Sequence, residues 1–315
     1  LNAGLGNLGV SAVQFFVPLA ITAGVFSTFG GEPHALKAGG NLWLQNAGYI
    51  WVPFIIVSAF VAWFGMDDLA TARASFTEQS VIFQRKHNWI MCWLYTGTFG
   101  SFIGYSAGFP LLTKLEFPHV NPLQYAFLGP LVGALARSLT GWIADRYGGA
   151  RVTFWVFVGM ALCVSGVLYF LGIKDQPNAF WGFLGMFIAL FFLTGVGNAS
   201  TFQMIPTIMR KEMGRLMPGA TDDTRRRQAE KESAAIIGFT SAIAAYGAFF
   251  IPKAYGTSIS MTGGPEFALA GFLAFYVTCL ALTWFVYTRK GGLLHDLEHQ
   301  HGKPPQAIAG ARGTA

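Results

Sequence analysis

The sequence predicts an all-α, multi-pass membrane protein. Hydrophobic residues make up 53% of the chain and charged residues only 11%, against about 25% charged in an ordinary soluble domain. The apolar residues are gathered into stretches of about 20 residues or more, the length needed to cross a bilayer as a helix. The basic residues fall in alternate connections between those stretches.

In chain order, the apolar stretches run over 1–29, 42–63, 89–112, 122–144, 152–172, 179–208, 234–252 and 266–288. Glycine and proline interrupt several of them, which membrane helices tolerate. The connections 64–88, 145–151 and 209–233 and the tail 289–315 carry most of the Lys and Arg. The other set holds only Lys37, Lys114, Lys174 and Lys253. This asymmetry places the basic connections and the C-terminus on the cytoplasmic side, and one missed span would scramble it. The segment 209–233, with Asp222, Asp223, Arg225, Arg226, Arg227, Glu230 and Lys231, reads as a solvated cytoplasmic loop running into the next helix. The chain has no secretory leader pattern and opens inside an apolar segment, so it reads as part of a longer protein.

The pI near 9.3 does not indicate nucleic acid, because the basic residues sit in loops between spans. Cys92, Cys163 and Cys279 all lie inside spans and read as small packing residues, with no disulfide or metal spacing. His34, His87 and His119 read as loop residues, and His295, His299 and His301 as a solvated tail. No span holds a histidine for haem. Neither a cofactor, a metal, nor a buried nucleophile–base pair is indicated, so the chain does not read as an enzyme.

An internal repeat organises the helices. Phe15-Phe16-Val17-Pro18 in the first span matches Phe249-Phe250-Ile251-Pro252 in the seventh, with Gly4 opposite Gly238. Transporters built from duplicated halves show such symmetry. With matching helices six apart, the first and seventh spans become helices five and eleven of twelve. The chain then divides into 1–63 (the last two helices of an N-terminal half), a cytoplasmic inter-half loop 64–88, a six-helix C-terminal half 89–288 and a tail 289–315.

Arg137 is the most informative residue. It lies inside the fourth stretch, where a guanidinium costs roughly 2.5–3.5 kcal/mol on insertion scales, and the eight stretches hold no Asp, Glu or His apart from Glu266, the first residue of the last one. It follows a small-residue stripe, Gly129, Gly133, Arg137, Gly141, which allows close helix approach and aims the side chain into the bundle. Asp145 is about 12 Å further along the helix, too far for the arginine to reach the headgroups comfortably. The alternative reading is snorkelling to the membrane surface. An inward arginine suits a planar oxyanion, because its fork donates two parallel hydrogen bonds. Depth matching adds Tyr95, Phe99, Phe202 and Ser241, against the alternative that the aromatics are core packing. Gly4-Leu5-Gly6-Asn7-Leu8-Gly9 and Gly195-Val196-Gly197-Asn198 offer close contact or local unwinding around a ligand.

The loop Gly141-Trp142-Ile143-Ala144-Asp145-Arg146-Tyr147-Gly148-Gly149-Ala150-Arg151 resembles the cytoplasmic gating signature of the major facilitator superfamily, one residue longer before the final arginine. There Asp145 is expected to pair with basic groups and to cap the next helix. Together with GLGNLGVSAVQFFVP (4–18), LYTGTFGSFIGYSAGFP (94–110), TGVGNASTFQMIP (194–206) and GFTSAIAAYGAFFIPKAYG (238–256), it is similar to the nitrate/nitrite porter (NarK-type) family. The resemblance implies the superfamily fold, with eight of twelve transmembrane helices present. It implies nitrate and nitrite as substrates, carried across the bacterial cytoplasmic membrane by a monomer surrounded by lipid. It further implies that Arg137 is the substrate arginine of helix eight, with Tyr95 and Phe99 pocket residues of helix seven, Phe202 the aromatic wall of helix ten and Asn7 the signature asparagine of helix five. Gly4, Gly6, Gly9, Gly238 and Gly247 belong to the two signature segments, and Gly141, Asp145, Arg146 and Arg151 to the gating loop. The family's second arginine, on helix two, lies outside this sequence. Nitrate/nitrite exchange fits the lack of acids in the interior of the spans, Glu266 standing at the very edge of the last. Nitrate/proton symport and a non-transporting sensor with the same fold are the alternatives.

Overall fold

A computed structural model of the chain describes residues 2–24, 31–36, 39–67 and 75–295. The tail beyond 295, with His299 and His301, lies outside these residues, as do Lys37 and part of the inter-half loop.

The N-terminal region forms α1 (Asn2–Gly6) and α2 (Leu8–Ala20), then a two-residue antiparallel pair, His34–Ala35 with Asn41–Leu42. Helices α3 (Asn46–Tyr49) and α4 (Val52–Gly65) follow and act as one span, Asn46–Gly65. Next come α5 (Phe76–Gln79), α6 (Lys86–Tyr95), a π-helical turn at Thr96–Gly100 and α7 (Ser101–Glu116). The remaining helices are α8 (Leu128–Leu139), α9 (Gly141–Tyr147), α10 (Gly149–Gly172), α11 (Ala179–Leu216), α12 (Asp222–Ala245), α13 (Gly247–Thr262) and α14 (Glu266–Leu282).

Among the described residues, five helices are long and apolar enough to cross a membrane, and α8 with α9 makes a sixth if that bent pair is one span. The predicted stretch 89–112 is helical as well, running without interruption from Lys86 to Glu116. Its Gly, Ser, Thr and Tyr residues lower its hydropathy because it is buried against protein rather than lipid. The first stretch is helical only to Ala20, with a break at Asn7.

Three boundaries differ from the sequence reading. The stretch 122–144 is not one rod: Thr140 leaves helical geometry and α9 departs from α8 at 45°. The Thr140 hydroxyl bonds back to the Ala136 carbonyl at 2.6 Å, the local side-chain competition that bends helices. The segment 209–233 is mostly helix, because α11 continues to Leu216 and α12 starts at Asp222. Thr221 caps α12 through the Thr224 N–H, with Asp222 and Asp223 in the first turn, and Arg226–Glu230 and Arg227–Asp223 pairs line its exposed face. The third is at 253–265, where α13 reaches Thr262 and carries Lys253 on a helix rather than in a loop. His87 is also helical, buried in the first turn of α6.

The core lies in the C-terminal region. Tyr105, Tyr276, Phe102, Phe157, Phe183, Phe187 and Phe191 are fully enclosed there, and Tyr276 accepts or donates hydrogen bonds at 2.7 Å to both Ser101 and Tyr105. By contrast, α4 buries none of its residues.

Candidate functional site

Arg137 sits in the last turn of α8, 8% exposed. Its backbone is held by a close crossing with α11: a Cβ added at Gly195 would stand 2.8 Å from the Ala136 side chain and 3.0 Å from the Arg137 nitrogen. Only glycine permits that approach. The crossing points the guanidinium between α11 and the segment 86–116, away from lipid.

There it donates from Nη2 to the Tyr95 hydroxyl at 3.1 Å. Its Cζ lies 5.7 Å from the Phe99 ring centroid and 5.6 Å from that of Phe202, within the range of cation–π attraction. Tyr95 and Phe99 stack with centroids 5.3 Å apart. Tyr95 ends α6 and Phe99 lies in the π-helical turn Thr96–Gly100 that follows it, where the Thr96 hydroxyl bonds back to the Cys92 carbonyl. Such turns re-aim side chains at functional sites. No carboxylate is within ion-pair distance of Arg137 among the described residues. The arrangement is therefore a positive charge with an aromatic surround, one phenol and no counter-ion. Because the Tyr95 hydroxyl accepts from the arginine, its own proton is free to be donated.

The structure thus brings Arg137, Tyr95, Phe99 and Phe202 together, as the depth matching anticipated. Asn7 stands at the break between α1 and α2, with its amide nitrogen buried and without a partner. It does not hydrogen-bond to Arg137, and nor does the half-buried Ser241. Gly4 is packed against α8: a Cβ there would meet the Ser138 nitrogen at 3.0 Å. Gly247 faces the backbone of Gly100 in the same way, whereas a Cβ at Gly6, Gly9, Gly238 or Gly141 would meet nothing within 4 Å. Gly141 therefore does not continue the packed stripe of Gly129 and Gly133, because the helix has already turned away at Thr140.

In the segment 141–151, Gly148 takes φ 91°, the backbone that makes the tight turn. Asp145 does not cap α10, whose start has no side-chain cap. Instead its carboxylate accepts from the Gln203 amide on α11. Arg146 lies over the Tyr147 ring at 5.6 Å, and Arg151 is engaged rather than free. Asp145 thus takes an amide from the residue next to Phe202. That link joins the loop to the helix carrying an aromatic of the arginine cluster. Asn198, between Gly195 and Phe202 on α11, is fully enclosed with both amide atoms unpartnered.

Two further ionic contacts tie the start of α6 and its preceding turn to α12. Arg85 holds the buried Glu232 through two bonds of 2.8 Å, and Lys231 reaches Glu78 at 2.8 Å. Burial depresses the His87 pKa below its ordinary value, opposed by Glu212 at 3.8 Å. On the opposite side of the bundle, Lys174 pairs with the buried Glu116 at 2.8 Å.

Comparison with known proteins finds close relatives. The proteins named "Nitrate/nitrite transporter NarU" from Salmonella typhimurium and Escherichia coli are each 46% identical over 92% of this chain. "Probable nitrate/nitrite antiporter NarK2" from Thermus thermophilus is 40% identical over 92%. The chain spans 63% of the length of each of these curated relatives. No family model matches.

Proposed function

The chain belongs to the nitrate/nitrite porter family of the major facilitator superfamily, and from that premise we propose that its protein carries nitrate and nitrite across the bacterial cytoplasmic membrane by alternating access. The single observation that carries this reading is Arg137: a buried guanidinium with no carboxylate partner, flanked by Phe99 and Phe202 and bonded to Tyr95. A flat anion fits such a place. The arginine fork offers two parallel N–H groups, the phenol offers a third donor, and the rings exclude water while tolerating a planar, delocalised charge.

In this reading Arg137, Tyr95, Phe99 and Phe202 contact the anion. Asn7, with its unpartnered buried amide, and Ser241 complete the polar lining when the site closes. The signature glycines Gly4 and Gly247 set helix spacing. Gly6, Gly9 and Gly238, open on the described side, face other helices of the whole protein. Asp145, Arg146, Arg151 and Gly141 form the cytoplasmic gate. The chain supplies helices five to twelve, with 64–88 linking two halves, and one chain is the working unit.

Exchange of nitrate for nitrite is the coupling the site supports best. The buried carboxylates Glu116 and Glu232 are each committed to a cation, Lys174 and Arg85, so neither is free to relay protons. A fixed positive site is slow to reorient empty and fast when either anion neutralises it. A counterflow assay on the full-length protein in liposomes tests this. Nitrate uptake should require internal nitrite or nitrate. Uptake that proceeds into anion-free vesicles and follows an imposed pH gradient overturns exchange in favour of proton symport.

A further inference from the structure

An apolar groove lies on the outer side of the bundle, away from Arg137. Its cavity of about 490 Å³ is bounded by α6, the π-helical turn, the α12–α13 junction and α14. Trp89, Trp93, Tyr246 and Phe250 form its exposed rim, and Ser101 and Tyr276 its buried floor.

Polar groups in the groove are already used. Ser101 is bonded to Tyr276 at 2.7 Å, the Trp93 indole N–H to Thr278 at 2.9 Å, the Trp89 N–H to the Phe83 carbonyl at 3.1 Å and Thr96 to the Cys92 carbonyl at 2.7 Å. Apart from the Tyr246 phenol at the exposed rim, a polar ligand would find these hydroxyl and indole donors taken; a hydrocarbon chain would lose nothing. The groove also has a charged end. Lys86, Trp89, Trp93, Thr96 and Gly100 follow one another at alternating spacings of three and four, one face of the helix. Lys86 is exposed at the cytoplasmic end of that face and forms no ion pair among the described residues, whereas its neighbour Arg85 is committed to Glu232. From Lys86 to Gly100 the face is about 21 Å long, so it begins at headgroup level and passes the middle of a hydrocarbon core about 30 Å thick. The two tryptophans occupy the interfacial depth that indole prefers.

We propose that this groove is a binding site for an anionic phospholipid of the cytoplasmic leaflet, with one acyl chain along Trp93 and Phe250 and the phosphate at Lys86. The assignment rests on the membrane architecture and is independent of the transported anion.

The test uses the full-length protein in phosphatidylcholine vesicles containing a trace of phosphatidylglycerol with a photoreactive diazirine on its acyl chain. After irradiation, labelled peptides are mapped by mass spectrometry. Label should concentrate in 89–101 and 243–251. Excess unlabelled phosphatidylglycerol should remove it, and excess phosphatidylcholine should not. Lys86→Gln should reduce it about fivefold, the worth of one basic residue near an anionic surface, and Thr96→Phe should exclude the chain by filling the groove. Because Lys86 is exposed, its variant decides the matter even if Thr96→Phe fails to fold. The proposal is overturned by equal labelling from a phosphatidylcholine probe, by labelling indifferent to Lys86→Gln, or by no label in these segments, the result expected if another helix of the protein covers the groove.

Discussion

Replacing Arg137 by lysine tests the anion site most directly, because it keeps the charge and removes only the geometry. In the structure the guanidinium donates one hydrogen bond to Tyr95, at 3.1 Å, and the proposed anion would take its other N–H groups. A lysine ammonium is a point charge on a flexible stem and cannot present two parallel donors to a planar anion. Losing one charge-assisted hydrogen bond to the anion costs about 1.5 kcal/mol, and losing the Tyr95 contact that aims the group costs about as much again. The total, about 3 kcal/mol, weakens nitrate binding more than a hundredfold in Kd. Tyr95→Phe is the matched control. It removes one neutral donor to the anion, worth about 1 kcal/mol or roughly fivefold, partly offset because the empty site loses its arginine–phenol bond as well. Nitrate titration of the purified full-length protein by calorimetry reads both, with membrane yield and melting temperature confirming that each variant is folded. An Arg137→Lys affinity within threefold of the wild type would refute the reasoning. So would a Tyr95→Phe loss equal to that of Arg137→Lys, since the phenol and not the fork would then dominate.

Other expectations follow from the cytoplasmic end. Arg85→Ala leaves the buried Glu232 carboxylate with only Gln228; stranding a buried charge costs about 3 kcal/mol, read as a lowered melting temperature in detergent, and Arg85→Lys should recover part of it. His87 is buried with its pKa below the ordinary 6.5, so the folded protein binds that proton less well than the unfolded chain. Its contribution is complete above about pH 6.5 and is lost as pH falls below that value. His87→Gln should flatten the decline in melting temperature over that acid range, and an unchanged slope would remove His87 as its cause. Gly4→Val inserts a branched side chain where a Cβ already meets the Ser138 backbone at 3.0 Å. Transport should fall to background while the protein still reaches the membrane; wild-type rates would show that this crossing does not need to be close.

The site was more legible in the sequence than the helix ends. A lone arginine in an apolar stretch has few affordable positions, so its inward direction and its companions Tyr95, Phe99 and Phe202 could be reached by depth alone. Ser241 has the same depth but a different azimuth, which residue counting does not supply. Hydropathy placed Gly149–Gly172 within a few residues, yet stopped α11 at 208. The continuation through Arg210, Lys211, Glu212 and Arg215 to Leu216 is held by helix-forming charged residues that such a scale scores as loop. The start of α12 was written in Thr221, Asp222, Asp223 and the paired charges that follow, but those same charges argued for a solvated loop. Nothing local announced the Asp145–Gln203 bond, which depends on what α11 presents opposite α9, and a single threonine back-bonding to Ala136 is too common a pattern to announce the bend at Thr140.

That bend has a geometric outcome. The seven residues of α9 make an arm about 10 Å long. Inclined at 45° to the helix before it, it advances only about 7 Å along that helix's axis and spends an equal displacement travelling sideways. A straight continuation would have carried Asp145 deeper into solvent; the elbow instead delivers its carboxylate across to Gln203. Arg137 stands three positions before the joint, on the other limb, so the elbow redirects the loop while the cation keeps its socket.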